Sequence, residues 1–292
     1  MPGGGPGTIL FHHTAKYHLP IAPLMQEKAL ELRNVSVIRD GVSVLSSVDL
    51  VISKGENVAI IGANGSGKTT LIKLLRGEIR PYFDEKDPPV MRIFGKDKWD
   101  LFDIRRHMGV VSMDLQSMFD ESTTVSDVIC SGFFSSIDVF RGMTVTDDMK
   151  SKAASAAYIM GIEELLTRRI GCLSLGEMRR AMIARALVSD PEILVLDEPM
   201  TGLDIVMKSK FRKMFDILIR SGVSIVMITH DLTNIPSSVD RVIAMKDGRI
   251  LMDGAKESVL TDSNVSEVFG ESIKVIQDKG SYSMHLVEEG EN

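Results

Sequence analysis

The sequence has few cysteines, no long apolar run and no excess of basic residues. Its 2 cysteines among 292 residues are too few for the disulfide framework that stabilises small secreted domains. No window of about eighteen apolar residues occurs, which excludes a transmembrane helix. The net charge of −6, from 34 basic and 40 acidic residues, gives no reason to expect a nucleic-acid partner. We therefore expect a reduced protein of the cytoplasm.

The chain divides into one large domain and two flanking segments. Residues 1–28 are rich in Gly, Pro and His without sustained periodicity, which predicts an N-terminal extension outside the folded core. This segment has no basic region followed by a long apolar run, so we expect no secretory signal. Residues 29–270 form the predicted domain, and residues 271–292 form a mildly acidic C-terminal tail.

Short apolar runs alternate with helical patterns along the domain. Continuous apolar strands at 56–61, 193–196 and 224–228, separated by helices, predict a mostly parallel sheet covered on both faces. A hairpin is predicted around Asp247-Gly248, because this pair separates two apolar runs. Residues 113–190 carry helical patterns and lack strand signals, and we interpret them as an inserted helical subdomain. The fold class is therefore α/β.

A phosphate-binding loop follows the first of these strands. The pattern GxxxxGK[ST], placed between a strand and a helix as the motif requires, is matched by Gly62, Ala63, Asn64, Gly65, Ser66, Gly67, Lys68 and Thr69. Glycines let backbone N–H groups turn toward a polyanion, and the helix start at Thr70 adds partial positive charge. Lys68 is expected to reach the β- and γ-phosphates, and Thr69 to offer its hydroxyl to Mg²⁺. The loop predicts a site for ATP with Mg²⁺.

Two further strands end in residues suited to phosphate chemistry. Asp197 and Glu198 follow the apolar run 193–196, and His230 follows the run 224–228. Ligands of parallel α/β sheets bind at the carboxyl ends of the strands, which places these residues beside the phosphate-binding loop. We expect Asp197 in the Mg²⁺ shell and Glu198 as the base that accepts a proton from water. His230 is expected to donate a hydrogen bond to the γ-phosphate.

The stretch LSLGE, residues 173–177, precedes another helix and has two interpretations. The Ser174 hydroxyl and the N–H groups near Gly176 stand at a helix start, where an anion can bind. Ser174 with Glu177 three residues later also forms the pattern of a capping box, which needs no ligand. The residues alone leave both interpretations open.

Five motifs in order resemble the ATP-binding-cassette (ABC) ATPases. They are the phosphate-binding loop, LSLGE, ILVLDEP, TGLD and the histidine after the next strand, within Leu30 to Gly254. The resemblance implies a P-loop NTPase core with a mostly parallel sheet, an antiparallel β subdomain and an inserted helical subdomain. It also implies that Ser174 and Gly176 close over the ATP of a second subunit, in a head-to-tail homodimer or a dimer with a similar cassette. Asp204 would contact that subunit, although its place also suits a helix start.

The sequence departs from the common family pattern at three places. LSLGE has Leu and Glu where the family commonly has Gly and Gln, and it retains the Ser and the second Gly. The strand MGVVS is commonly followed at once by a Gln that contacts Mg²⁺ and senses a membrane partner. Met113 stands there, and we assign the role to Gln116 because a related subgroup has a delayed Gln. No aromatic stands where the family packs one on adenine, which leaves Val37, Ile38 or Tyr17 as candidates.

Two hypotheses of function remain. Segments around LSLGE and ITHDLTNIP are similar to stand-alone cassettes related to the molybdate-type, photorepair-named ATP-binding proteins. In the first hypothesis, the protein is the ATP-hydrolysing subunit of an ABC transporter. It then drives separate transmembrane permease subunits and is peripheral at the inner face of the cell membrane. In the second, it is a soluble switch or repair-related ATPase without a membrane partner.

The helical subdomain has two features that bear on this choice. An exposed apolar patch beside Gln116 favours a membrane partner, because monomeric surfaces seldom leave large apolar patches uncovered. A polar surface there favours the soluble protein. Four aromatic side chains either line a docking groove or pack in the subdomain core, namely Phe119, Phe133, Phe134 and Phe140.

Overall fold

The computed structural model describes residues 27–137 and 143–287. In these residues, strands β1 to β11 cover Lys28–Arg39, Val42–Ser53, Val58–Ile61, Val90–Ile93, Met108–Val111, Ile193–Asp197, Ser224–Thr229, Arg241–Lys246, Arg249–Ala255, Ile273–Asp278 and Ser281–Leu286. Helices α1 to α9 cover Lys68–Leu75, Leu101–His107, Met113–Ser117, Val125–Ser131, Asp147–Ile159, Leu175–Leu187, Ile205–Arg220, Lys256–Val259 and Asp262–Phe269. Within the same ranges, no helix is long and apolar enough to cross a bilayer. Tyr17 and Phe140 lie outside the described residues.

Six strands form the central sheet, in the order β5-β6-β7-β3-β8-β9. Neighbouring strands are parallel except β8 and β9, which pair antiparallel on either side of Asp247-Gly248. The α/β architecture is thereby confirmed. The sequence of strand β6 is continuously apolar because both faces of the strand are buried. Ile193 and Val195 pack in one core, and Leu194 and Leu196 pack in another.

A second, antiparallel sheet packs over one face of the central sheet. Its order is β2-β1-β4, and the turn from β1 to β2 has positive φ at Asp40 (49°) and Gly41 (76°). Helix α1 lies between the two sheets, where Leu71 and Leu75 share a buried cluster with apolar residues of both. This sheet is the antiparallel β subdomain that the family resemblance implies.

The inserted helical subdomain follows β5 and precedes β6. Its described part contains α3 to α6 and short 3₁₀ helices. Val128 of α4, Ala157 of α5 and Ile183 of α6 are fully buried together, and the same cluster continues to Leu194 and Leu196 of β6. The subdomain therefore packs on the face of the central sheet that Leu194 and Leu196 of β6 line.

The C-terminal segment contains a folded hairpin. Strands β10 and β11 pair antiparallel, and the turn between them has positive φ at Lys279 (47°) and Gly280 (80°), as a type I′ turn requires. Ile273 and Tyr282 are buried in one cluster with α9. The segment interpreted as a tail from residue 271 therefore packs on the domain as far as Leu286, because its alternating apolar residues meet an apolar surface there.

Candidate nucleotide site

Three parallel strands bring the predicted site residues to one edge of the central sheet. Strand β7 lies between β6 and β3, with Asp197 in register with Ile228 and Ile61 in register with Thr229. The loops after β3, β6 and β7 therefore start side by side. They carry the phosphate-binding loop, the pair Asp197-Glu198, and His230.

The phosphate-binding loop is held between the β8–β9 turn and strand β2. The N–H of Gly248 donates to the carbonyl of Ser66 at 3.1 Å, and Gly67 packs against Leu45 and the backbone of Val44. Gly67 has a φ of 100°, a left-handed conformation that favours glycine, and it directly precedes α1. The helix therefore begins with its free N–H groups at the loop. Three residues at the outer rim are half-buried or exposed, namely Ala63, Asn64 and Gly65.

The ammonium of Lys68 lies inside the phosphate-binding loop. Its Nζ donates to the carbonyl oxygens of Gly62 and Ala63, each at 2.8 Å, and the residue is buried. Burial lowers the pKa of Lys68, and the carboxylates of Glu198 and Asp197 oppose that shift. A buried cation held by neutral carbonyls is suited to take charged phosphate oxygens in their place, because charge-assisted hydrogen bonds are stronger.

Oxygen ligands suited to a divalent cation lie beside this lysine. Thr69 is exposed, and its hydroxyl has no hydrogen-bond partner within the described residues, whereas Thr70 is buried. Burial and the charges of Glu198 and Asp114 raise the pKa of Asp197 to about 6. Mg²⁺ prefers hydroxyl and carboxylate oxygens, and a cation offsets the repulsion between these carboxylates. The residues present therefore fit Mg²⁺.

Glu198 and His230 form a hydrogen-bonded pair. Nδ1 of His230 lies 2.6 Å from Oε1 of Glu198, and Oγ1 of Thr201 donates to Oε2 of Glu198 at 3.1 Å. Glu198 has a φ of 49°, a conformation rare for residues with a side chain and frequent at functional sites. Sequence patterns predict the two residues separately, and the structure brings them together as a carboxylate oriented by an imidazole.

Gln116 is bonded to the helix that follows LSLGE. Its Oε1 accepts a hydrogen bond from Nη1 of Arg179 at 2.9 Å, and Nη2 of the same guanidinium contacts the sulfur of Met113. Arg179 is fully buried, and its Nε has no partner in the described part of the chain. Burial lowers the pKa of Arg179, while the charge of Asp197 opposes the shift. One buried guanidinium thus links the segment after β5 to α6, a link that motif spacing does not reveal.

Ser174 forms the capping box that is one of its two predicted roles. The N–H of Glu177 donates to Ser174 Oγ at 3.3 Å, and the N–H of Ser174 donates to Glu177 Oε2 at 2.7 Å. Gly176 is buried against Met207 of α7. Across residues 27–137 and 143–287, no hydrogen bond joins Ser174 or Gly176 to the phosphate-binding loop. Within the described residues, LSLGE and the phosphate-binding loop are therefore not joined by a hydrogen bond.

The candidates for contact with adenine are reduced to one described residue. Val37 is 4% exposed and packs in the core, so it presents no surface to a base, whereas Ile38 is 45% exposed. Ile38 lies in register with Ser43 on β2, close to the Leu45 that packs on Gly67. The candidacy of Val37 is therefore wrong, because its side chain is needed for core packing.

The aromatic side chains of the helical subdomain serve its core. Phe119 is 7% exposed, and Phe133 packs against the same buried cluster. The guanidinium of Arg185 lies over the ring of Phe119, 5.4 Å from its centroid, and Phe134 is half-buried. Of the two roles considered, core packing is the one that the structure gives to Phe119 and Phe133.

Comparison with known proteins identifies the family. The family model described as ABC transporter matches residues 45–201, more than half of the chain. The chain belongs to the ABC transporter family. It is the ATP-binding, ATP-hydrolysing component of such a transporter, which confirms the first of the two hypotheses at this level.

Relatives and solved structures of ABC ATPases match this chain over most of its length. It is 32% identical over 252 residues to the uncharacterized ABC transporter ATP-binding protein YlmA of Bacillus subtilis, covering 85% of this chain and 93% of that protein. It is 32% identical over 231 residues to the ABC transporter ATP-binding protein ModF of Escherichia coli, covering 77% of this chain and 45% of that protein. The structure of cbiO1 from Clostridium perfringens, part of the ABC transporter complex cbiONQ, superposes with a TM-score of 0.69 at 28% identity, covering 83% and 94% of the two chains.

The family resemblance implies that the Ser174 hydroxyl bonds to the ATP of a second subunit. Substitution of Ser174 by Ala in this ABC ATPase should therefore lower ATP turnover roughly tenfold, because a hydrogen bond to a charged group contributes about 1.5–3 kcal/mol. ATP binding by the monomer should be unchanged. Glu177→Ala is the matched control, since it removes the other half of the capping box and keeps the hydroxyl. Both variants should lose about 1 kcal/mol of stability, measured by thermal unfolding. Equal losses of turnover in the two variants would assign Ser174 to helix capping alone.

Because Gln116 is predicted to contact Mg²⁺, substitution of Arg179 by Met in the ABC ATPase should lower turnover roughly tenfold, the usual effect of losing a group that orients a metal-site residue. ATP affinity, measured with a fluorescent analogue, should change much less. Because Arg179 is expected to act through Gln116, adding Gln116→Ala should cause little further loss. Multiplicative losses in the double variant would show that Arg179 acts independently of Gln116.

Proposed function

We propose that two copies of this ABC ATPase, or one copy with a similar cassette, close head-to-tail over two ATP molecules with Mg²⁺. Each composite site combines the phosphate-binding loop of one chain with Ser174 and Gly176 of the other. Closure drives separate transmembrane permease subunits, and the ATPase is peripheral at the inner face of the cell membrane. The family and the relatives support this arrangement.

Hydrolysis uses residues for binding, orientation and proton transfer. Lys68 exchanges its bonds to loop carbonyls for bonds to the β- and γ-phosphates. Glu198 accepts the proton of the water that attacks the γ-phosphate, and His230 fixes the orientation of that carboxylate through its Nδ1, 2.6 Å away. In the proposed complex, the other ring nitrogen of His230 donates to the γ-phosphate. Thr69, Asp197 and Gln116 would hold Mg²⁺, which when bound would neutralise charge on the phosphate oxygens.

The surface around Ser174 and Asp204 supports a dimer. The Ser174 side chain is exposed, although it is bonded to Glu177. Asp204 caps α7 by accepting the N–H groups of Val206 and Met207, each at 2.9 Å. Beside it, the side chains of Ile205 and Val206 are 82% and 61% exposed. A second chain placed over this helix start removes two aliphatic side chains from water, so both roles considered for Asp204 are compatible.

An exposed apolar patch beside Gln116 supports the proposal of a membrane partner. Met113 and Met118 flank Gln116 and are 46% and 56% exposed, and Ile137 is 39% exposed. Methionine adapts its shape to a partner and is frequent at binding surfaces. The patch adjoins the Gln116–Arg179 hydrogen bond, so an occupant of the patch contacts the link between α3 and the LSLGE helix. A soluble switch has no evident use for this surface.

The test is a pull-down with tagged Glu198→Gln protein held in its ATP-bound state. Detergent-solubilised membranes and cytosol of the source organism are probed in parallel. Stoichiometric recovery of a polytopic membrane protein is the expected result. Recovery of the dimer alone, or of soluble partners only, contradicts the proposed function and favours the soluble switch.

A further inference from the structure

The start of helix α6 already holds an anion of its own chain. The carboxylate of Glu177 accepts the N–H of Ser174 at 2.7 Å and the hydroxyl of Ser174 at 2.8 Å, both through Oε2. These two hydrogen bonds are the main cause of a lowered pKa of Glu177, and the charges of Arg168 and Arg180 lower it further. Glu177 is therefore ionised at neutral pH, in the first turn of a helix, where the helix dipole favours negative charge.

The hydroxyl of Ser174 has only one proton to donate. In the structure that proton is directed at Glu177, while the hydroxyl oxygen accepts the N–H of Glu177 at 3.3 Å. In the proposed dimer, the same hydroxyl donates to a phosphate oxygen of the ATP that the second chain holds. It cannot donate to the carboxylate and to the phosphate at once, so Glu177 has to release the hydroxyl before the phosphate can take it.

Charge repulsion adds to this competition. Two acceptors that each lie within hydrogen-bond distance of one hydroxyl are at most about 6 Å apart. A carboxylate and a terminal phosphate at that separation repel each other, and more strongly where the interface excludes water. Within the described residues, the guanidiniums of Arg168 and Arg180 donate to backbone carbonyls, and no direct ion pair there neutralises Glu177.

We infer that Glu177 is an internal competitor, which holds the Ser174 hydroxyl until the ATP of a second chain displaces it. This inference rests on the proposed function and adds a regulation of the same composite site. Ser174 is exposed and Glu177 is half-buried beside it, so a phosphate can reach the hydroxyl once the carboxylate turns away. The competition makes closure weaker than the phosphate contacts alone would allow, which restrains ATP hydrolysis by the free ATPase.

Glu177→Gln separates the charge of this side chain from its shape. Glutamine still accepts the N–H of Ser174, as it does in capping boxes, so thermal unfolding should change little. It releases the hydroxyl more readily, because a neutral oxygen is a weaker acceptor than a carboxylate. Glu164→Gln is the matched control, since it makes the same change of charge at an exposed residue of the 3₁₀ helix Glu163–Leu165.

The test adds each substitution to the full-length Glu198→Gln protein and compares both with the unchanged protein. Dimerisation with ATP and Mg²⁺ is followed by light scattering over a range of protein concentrations. Glu177→Gln should lower the concentration at half-dimerisation roughly tenfold, because a charge-assisted hydrogen bond is about twice as strong as a neutral one. Glu164→Gln should leave that concentration nearly unchanged. High salt should narrow the difference, because it screens repulsion at the interface.

The outcomes separate this inference from the proposed function. Equal half-dimerisation concentrations for Glu177→Gln and Glu164→Gln, or a weaker dimer for Glu177→Gln, overturn the competition and leave the ATP-dependent dimer established. A difference that high salt leaves undiminished assigns the effect to helix packing and also overturns the competition. Absence of an ATP-dependent dimer in all three proteins overturns the proposed function and this inference together.

Discussion

Glu198→Gln protein is expected to bind ATP normally and to hydrolyse it roughly a hundredfold or more slowly, the usual effect of losing a general base. Gln keeps the shape of the side chain and still bonds to His230 and Thr201, but it cannot accept the proton of the attacking water. Phosphate release measured in a steady-state assay, together with nucleotide retained after gel filtration, checks both parts of the prediction.

Glu192→Gln is the matched control for this variant. Glu192 and Glu198 flank the same strand, β6, at opposite ends, and Glu192 pairs with Lys54 and His107 far from the phosphate-binding loop. Its replacement should leave turnover close to normal. Near-normal turnover by Glu198→Gln protein would remove Glu198 as the base, and slow turnover by both variants would point to a general loss of structure.

Lys68→Ala protein is expected to bind ATP roughly tenfold to a hundredfold more weakly, since a hydrogen bond to a charged group contributes about 1.5–3 kcal/mol. The substitution removes the buried ammonium that holds the carbonyls of Gly62 and Ala63 at 2.8 Å. The loop also loses its only side-chain donor to both carbonyls in the described structure. Isothermal titration of ATP with Mg²⁺ measures the change directly.

Lys73→Ala is the control for the lysine variant. Lys73 lies in the last turn of the same helix, α1, whereas Lys68 begins that helix at the phosphate-binding loop. ATP affinity should stay near that of the unchanged protein. If Lys68→Ala bound ATP as tightly as Lys73→Ala, the loop around Lys68 would not be the phosphate site.

The central sheet and the site at its edge are largely predictable from sequence. Strands β3, β6 and β7 are buried on both faces, so each is a continuous apolar run. The residues after each run belong to compact motifs, and parallel strand ends necessarily meet at one edge. Lys68, Asp197, Glu198 and His230 could therefore be placed together without coordinates.

Contacts between distant segments are not predictable in this way. Arg179 is separated from Gln116 by 63 residues, and on an amphipathic helix a buried arginine has the same sequence pattern as an exposed one. Arg76, Arg105 and Arg185 likewise line one groove although they come from three segments of the chain. Burial lowers the pKa of Arg179 and of Arg185. The burial of a charged side chain depends on tertiary packing, which the local sequence does not give.

The hairpin of β10 and β11 is a second feature that the sequence alone does not predict. Its alternating residues, among them Ile273 and Tyr282, form an apolar face that is weak on its own. Two isolated strands are marginally stable in water, so the hairpin depends on the cluster around α9 that covers it. A short acidic segment at the end of a sequence gives no indication of such a cover.

The most direct test of the account is the mass of Glu198→Gln protein in solution, measured by light scattering with and without ATP and Mg²⁺. We expect the mass of one chain without nucleotide and of two chains with ATP, and no shift when Ser174→Arg is added to block closure. A protein that binds ATP stoichiometrically and keeps the mass of one chain at every concentration would contradict the composite site.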